Sequence, residues 1–329
     1  MLFRSIGNDV RALEKVIRGM GYQTGIYAEV IDGRLPEGTA QQVEKMPRLS
    51  GEDVILYHMS TGSELNFSLE KYPCRKLMVF HNITPPRFFK GYNDAAMESA
   101  EYGMRGLCHL ADKVDGCMAD SAYNGDILRE LNYRCPITVR PILIPFADYA
   151  KEPDASVMEH YKDDGYTNFI FVGRVAPNKK QEDVIRAFYC YKKYCNPKSR
   201  LFIVGSYNGM ERYYHRLRRY VGALELDNVV FTGHIPFAQI LAYYHLADLF
   251  LCMSDREGFC VPLVEAMFFE TPIVAYASTA IPGTLGGSGV LVGTKEPEMV
   301  AEAMNHVMQD AEYRDFHAKL ARQCSAAGR

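Results

Sequence analysis

A chain of 329 residues is about twice the usual single-domain length of roughly 150, so two domains with separate cores are expected. With 48% hydrophobic and 23% charged residues, it has the balance of a globular protein, which excludes disorder and low complexity. The 37 Lys and Arg stand against 40 Asp and Glu, a formal charge of -3, so no global field recruits nucleic acid or an anionic membrane and any anion site is local.

Short β-branched or apolar runs alternate with longer amphipathic stretches, the pattern of βα units around parallel sheets. The residues before Gly7 are too few for a full first strand, and 1–5 read as a short strand or as sequence foreign to the domain. Gly7 and Asn8 then look like a strand-to-helix turn. Strands are expected at 23–30, 54–58, 76–80 and 116–119, with helices at 9–19, 93–111 and 123–131. Prolines 141 and 145 bracket a short strand, and the polar stretch after it suits an interdomain connection, so the boundary is placed near 150. Beyond it, strands are expected at 168–172, 200–204, 228–231, 248–253, 272–275 and 290–292. Helices fit 181–194, 210–223, 237–245, 261–269, 297–308 and 312–323.

No apolar run approaches the roughly 18 residues that span a bilayer, and no signal-peptide pattern opens the chain, so the cytoplasm is the expected compartment. The nine cysteines include no C-x-x-C pair, and Cys117, Cys190 and Cys252 read as reduced core thiols. The basic helix 212–219, with Tyr213, Tyr214 and His215 interleaved, reads either as a peripheral contact for the inner face of a membrane or as an exposed face whose tyrosines pack inward.

Three segments sit at the carboxyl ends of strands in the second half, where open α/β sheets bind ligands. In the first, Gly173 lets backbone approach a ligand, while Arg174 and Lys179 add a planar fork of donors and a mobile cation, a pairing that suits a diphosphate. A solvated basic loop is the other reading. In the second, Glu257-Gly258-Phe259-Cys260 precedes a helix with Pro262 in its first turn and Glu265 one turn inside. The free amides of that turn attract phosphate or sugar hydroxyls, although a carboxylate merely complementing the helix dipole also accounts for Glu265. The third is Thr232-Gly233-His234-Ile235, a glycine turn against which a base could pack, or a plain βα turn. His58 and His81 each end an apolar run; His58 reads as a strand cap, and His81 as either a cap or a functional group.

Residues 168–292 closely resemble the donor domain of retaining glycosyltransferases of family 4 with the GT-B fold, through Gly173-Arg174 with Lys179, the strand ending at Thr232-Gly233, and the E-x7-E pattern of Glu257 and Glu265. The first half resembles the acceptor domain through Gly7-Asn8-Asp9-Val10, Tyr57-His58-Met59-Ser60, Phe80-His81-Asn82 and Ala119-Asp120-Ser121. The resemblance implies α/β architecture with two Rossmann-like doubly wound domains facing a cleft: an acceptor-side domain over 1–150 and a donor domain over 151–329, the latter without the family's full crossover helix. It implies retaining transfer from a GDP- or UDP-linked sugar to a glycan or glycolipid hydroxyl, as in polysaccharide biosynthesis. Arg174, Lys179 and Gly173 would hold the diphosphate. Gly258, Phe259 and Cys260 would meet the sugar, and Glu265, Gly233, His234 and Ile235 the nucleoside. Glu257 and His81 would act in catalysis, with Gly7 and Asn8 on the acceptor side. No cofactor beyond the nucleotide sugar and no metal is expected, since no D-x-D occurs. A sugar-nucleotide epimerase or phosphorylase, or a non-catalytic scaffold of the same fold, remains the alternative.

Overall fold

The computed structural model describes residues 5–33, 35–310, 312 and 320. The expected first strand and almost all of the 312–323 helix lie outside them. The chain divides into two compact units, one made of Met1–Pro86 with Ala95–Pro145 and the other of Arg87–Asp94 with Phe146–Arg329.

The first unit runs α1 (Ser5–Gly19), β1 (Tyr27–Ala28), β2 (Gln41–Gln42), β3 (Val54–Met59), α2 (Leu65–Ser68), β4 (Arg75–Phe80), α3 (Asp94–His109), β5 (Gly116–Ala119), α4 (Ala122–Glu130) and β6 (Ile137–Val139). Strands β3 to β6 pair in sequential order as a parallel sheet, while β1 and β2 form a separate parallel pair. Met78, Val79 and Phe80 of β4 are buried together with Cys117 and Ala119 of β5, as expected of the middle strands of a parallel sheet.

Three expectations are corrected here. The run 23–30 contributes only the two residues of β1 to a sheet. The short strand lies at β6, before Pro141; Leu143 between the prolines instead gives its N–H to Asp9 Oδ1 at 2.8 Å. Gly7 and Asn8 already belong to the first turns of α1 rather than to a turn before it.

The second unit contains α5 (Phe146–Tyr149), α6 (Ala155–Tyr161), β7 (Thr167–Val172), α7 (Gln181–Tyr194), β8 (Ser199–Val204), α8 (Glu211–Ala223), β9 (Val229–Gly233), α9 (Phe237–Leu246), β10 (Leu249–Cys252), α10 (Val261–Phe268), β11 (Ile273–Tyr276), α11 (Ile281–Leu285), β12 (Val290–Val292) and α12 (Pro297–Gln309). Its parallel sheet has the order β12-β11-β10-β7-β8-β9. The chain starts at β7, winds out to β9, then returns to pair β10 on the other side of β7, which makes the β7/β10 seam the point where the winding reverses. Strands β8 and β10 are buried throughout, and Ile170, Phe202 and Phe250 pack with Ile240 of α9 and Leu263 of α10. Arg87–Asp94 joins this unit: Asn93 Nδ2 donates to Gly209 O at 2.6 Å, and the Tyr92 ring meets Tyr213 edge-on at 5.3 Å between centroids.

Helix α8 turns Tyr213, Leu217 and Val221 into the core and leaves Arg212, Arg216, Arg218 and Arg219 exposed. No helix among the described residues is long and apolar enough to cross a membrane.

Candidate functional site

Strands β7 and β10 pair directly, Leu249 opposite Phe169 and Phe250 opposite Ile170, so the segments leaving their carboxyl ends are forced together. From β7 the chain passes Gly173 and Arg174 into a 3-10 turn, Pro177–Lys179, before α7. From β10 it passes Ser254 to Cys260 before α10. The two segments are tied by backbone and side chain: Asp255 N–H donates to Asn178 O at 2.9 Å, and Asn178 Nδ2 donates to Arg256 O at 3.2 Å.

At this junction Lys179 Nζ donates to both oxygens of Glu257, at 2.7 and 2.6 Å, with Glu257 only 6% exposed. Burial opposes the Lys179 charge, but the Glu257 carboxylate outweighs it and holds the ammonium above its ordinary range. Glu257 N–H donates to Thr279 Oγ1 at 2.9 Å, and Thr284 Oγ1 donates to Phe259 O at 2.5 Å, so side chains from beyond β11 brace the loop.

Arg174 lies in the same segment. Its guanidinium donates through one terminal nitrogen to Asn208 O at 3.0 Å, its Nε is buried without a partner, and burial lowers its pKa. Gln181 Nε2 donates to the Arg174 carbonyl at 3.0 Å. The ends of β7, β8 and β9 are drawn close by glycine. Gly173 N–H donates to Val204 O at 2.9 Å, Gly205 bridges Gly233, and a Cβ on Gly205 would stand 2.0 Å from Gly173 O. Gly233 has φ +65, a conformation that glycine adopts freely.

Glu265 occupies α10 as expected, and both of its oxygens are taken: Tyr149 OH donates to Oε1 and Tyr244 OH to Oε2, each at 2.7 Å. Cys260 caps α10 in the left-handed region at φ 72. Its thiol, that of Cys252 and a Glu257 oxygen lie within 4.8 Å of one another, a donor set a soft metal could use, but Lys179 already neutralises this carboxylate. Gly258 and Phe259 lie between Glu257 and this cap, and His234 and Ile235 follow β9 directly.

In the first unit, His81 follows β4 and is held by both ring nitrogens. Its Nδ1 is 2.9 Å from Asp120 Oδ2, and its Nε2 is 2.8 Å from Nδ1 of His58 on β3. Asp120 directly follows β5, where Ser121 Oγ caps α4 by accepting from Asn124 N–H at 3.2 Å. Burial pushes the Asp120 carboxyl up, and the His81 contact pulls it back. Asp9 of α1 is fully buried, accepts Arg140 at 2.9 Å, and has Oδ2 4.0 Å from His58 Nδ1.

The structure therefore joins Lys179 to Glu257, places Arg174 on the same segment, and gives Glu265 its own tyrosine partners. It also adds residues that sequence reading missed. Gly205 had a signal, a strand stopping at glycine like that of Gly173. Tyr149, Tyr244, Thr279 and the partnership of His58 with His81 had none, because each lies far along the chain from the group it touches.

Residues 155–329 match the family described as Glycosyl transferases group 1. Over 257 residues the chain is 22% identical to O-antigen chain mannosyltransferase B of Escherichia coli, covering 76% of this chain and 66% of that one. It is 28% identical over 174 residues to a GDP-mannose-dependent alpha-(1-6)-phosphatidylinositol monomannoside mannosyltransferase of Mycolicibacterium smegmatis, covering 49% and 44%. The chain thus spans two thirds or less of the length of these curated relatives. Among solved structures, sucrose-phosphate synthase from Thermosynechococcus elongatus superposes with a TM-score of 0.73 at 18% identity, covering 97% of this chain and 88% of that one. An Anabaena protein in complex with UDP and glucose gives 0.63 at 20% identity, covering 78% and 67%. These likenesses show the fold, the parallel-sheet α/β architecture of GT-B glycosyltransferases, and with the match over more than half its length the chain belongs to the glycosyl transferases group 1 family.

Proposed function

We propose that this protein is a retaining glycosyltransferase that moves a sugar from a UDP- or GDP-linked donor to a hydroxyl of a glycan or glycolipid. The observation that carries this reading is the meeting of Lys179 and Glu257 at the β7/β10 seam, within the matched family. Family relatives named for mannosyl transfer favour GDP-mannose as the first donor to try.

In this reading the Arg174 guanidinium and the Lys179 ammonium stabilise the negative charge that grows on the departing diphosphate, helped by backbone amides near Gly173. Preorganised donors in a site shielded from water act most strongly on charge that develops in the transition state. Lys179 is held in place by Glu257, whose carboxylate is then shared with the donor sugar beside Gly258, Phe259 and the Cys260 cap. Glu265 accepts hydroxyls of the ribose, oriented by Tyr149 and Tyr244, and Gly233, His234 and Ile235 offer backbone to the base. Gly7 and Asn8 act on the acceptor side, and His81 acts there through the hydrogen-bonded group that it forms with His58 and Asp120. The transfer runs without a metal, so turnover survives EDTA, and the protein works in the cytoplasm, at a membrane surface when the acceptor is lipid-linked.

Calorimetry with UDP and GDP tests the donor site. One nucleotide binds, and Arg174→Ala weakens it by about 10- to 100-fold, the worth of a charge-assisted contact. Failure of both nucleotides to bind, or unchanged affinity in Arg174→Ala, overturns the assignment.

A further inference from the structure

The two histidines of the first unit form one hydrogen-bonded object. Their rings are within 14° of parallel, with centroids 5.1 Å apart and Nδ1 of His58 only 2.8 Å from Nε2 of His81. Two imidazoles stacked face to face at that centroid separation would not bring these nitrogens so close. The separation instead equals a hydrogen bond plus roughly two ring radii, so the rings are nearly coplanar and joined edge to edge.

Only one proton can lie between them. If Asp120 is a carboxylate, it accepts only, so His81 donates from Nδ1 and its Nε2 is an acceptor. His58 then donates from Nδ1, and its Nε2 is left as a bare lone pair. The reverse order, with protonated Asp120 driving both rings into the other tautomer, would leave Nδ1 of His58 an electron-rich acceptor of the His81 proton while it stands 4.0 Å from Asp9 Oδ2. Asp9 is held as an acceptor by Arg140 and by the Leu143 N–H, and its negative charge favours the positive N–H over the bare nitrogen at that position. The first order is therefore the stable one.

The same geometry separates the two residues by access. The His81 side chain is 1% exposed and both of its nitrogens are engaged, whereas that of His58 is 14% exposed. Burial and the neighbouring His81 push the His58 pKa down to about 3, so the ring stays neutral at physiological pH.

We infer that Nε2 of His58 is the nitrogen through which this pair meets a substrate hydroxyl, with His81 and Asp120 as positioning residues that fix its tautomer. The inference rests on the glycosyltransferase reading for the identity of that hydroxyl, an acceptor sugar or, in its absence, water. It makes His58 the contact residue on this side, although an imidazole at the end of an apolar strand is commonly only a cap.

Nitrogen-15 NMR of the histidine rings in the full chain tests the relay without any substrate. At pH 7 both rings show neutral Nδ1–H tautomers with Nε2 unprotonated; a proton on Nε2 of His58 overturns the inference. Turnover of GDP-mannose and UDP-glucose tests the contact. His58→Asn keeps a group at the Nδ1 position but lacks Nε2, so kcat falls about 10-fold, the scale of a lost hydrogen bond that positions the hydroxyl. Calorimetric affinity for UDP or GDP stays within about twofold because the nucleotide site lies on other residues. His58→Gln, which restores an acceptor near the Nε2 position, recovers part of the rate. Wild-type kcat in a folded His58→Asn variant overturns the inference, as does a zinc-induced rise in melting temperature that this variant abolishes, since a cation would then lie between the rings. If the wild type turns over neither donor, the glycosyltransferase reading suffers, while the ring spectra still decide the relay.

Discussion

Lys179 and Glu257 illustrate how one residue's chemistry depends on a distant partner. Each is buried enough that its charge is costly alone, and the two oxygens of the carboxylate at 2.7 and 2.6 Å from Nζ make the pair tolerable. Removing one member leaves the other as an uncompensated charge, which is the expensive half of a buried ion pair. Lys179→Met is therefore expected to destabilise the protein by about 3–5 kcal/mol at pH 7. Urea unfolding of the variant and the wild type at pH 7 checks it. His58 supplies a second signature. Its folded pKa of about 3 lies below the ordinary 6.5, so over that interval the unfolded chain binds the extra proton. Stability contributed by this group is complete above pH 6.5 and is lost as pH falls toward 3, at up to about 1.4 kcal/mol per pH unit. The difference between wild type and His58→Asn isolates this slope from the carboxylates that titrate nearby.

Secondary structure was largely legible because its causes are local. The apolar run Phe169-Ile170-Phe171-Val172 and the amphipathic repeat after it mark β7 and α7 whatever the rest of the chain does. Strands β5 and β12 and helix α7 have the bounds expected from sequence. The short elements β1, β2, α2 and α5 were not legible, because unlike β5 and β12 they are not continuous apolar runs between turn residues, and tertiary contacts decide them. Where strand ends crowd together, the constraint is sharp: Gly205 has φ 150, and a methyl group there would collide with Gly173 O. Gly205→Ala is expected to cost on the order of 3 kcal/mol, from overpacking together with unfavourable backbone, and to weaken nucleotide binding because the β7 end must move. A thermal melt and a UDP or GDP titration of the variant check both effects. Ser121 caps α4 directly after Asp120. Ser121→Ala should cost about 1 kcal/mol, the usual worth of an N-cap, measurable as a shift in urea midpoint with unchanged slope.

At the scale of the whole chain, two compact units with separate cores are expected to unfold in two steps, as multidomain proteins do. If a nucleotide is held by Arg174, Lys179 and Glu265, as proposed, it should stabilise only the unit that contains them. At 100 times its dissociation constant the ligand adds about 2.7 kcal/mol, enough to raise one melting transition by roughly 5–10 °C in a unit of this size. Calorimetric scans with and without UDP or GDP should show one transition moving and the other still; equal movement of both would contradict a donor site confined to the second unit. The segment Arg87–Asp94 was assigned by sequence position to the first half, yet Asn93 and Tyr92 pack with Gly209 and Tyr213, a placement no local pattern could reveal.

The amino-acid sequence by itself determined the α/β class, the order of nearly all long elements, and the identity of the cations and acids at the β7 and β10 ends. Those follow from periodicity, from glycine and proline punctuation, and from motif spacing, all of which act within a few residues. Only the tertiary structure decided which of these groups touch: Lys179 with Glu257, Glu265 with Tyr149 and Tyr244, and His58 with His81. Such contacts depend on strand order and on the point where the sheet reverses its winding, and the hydrogen bonds that result join atoms whose separation along the chain bears no relation to their distance in space.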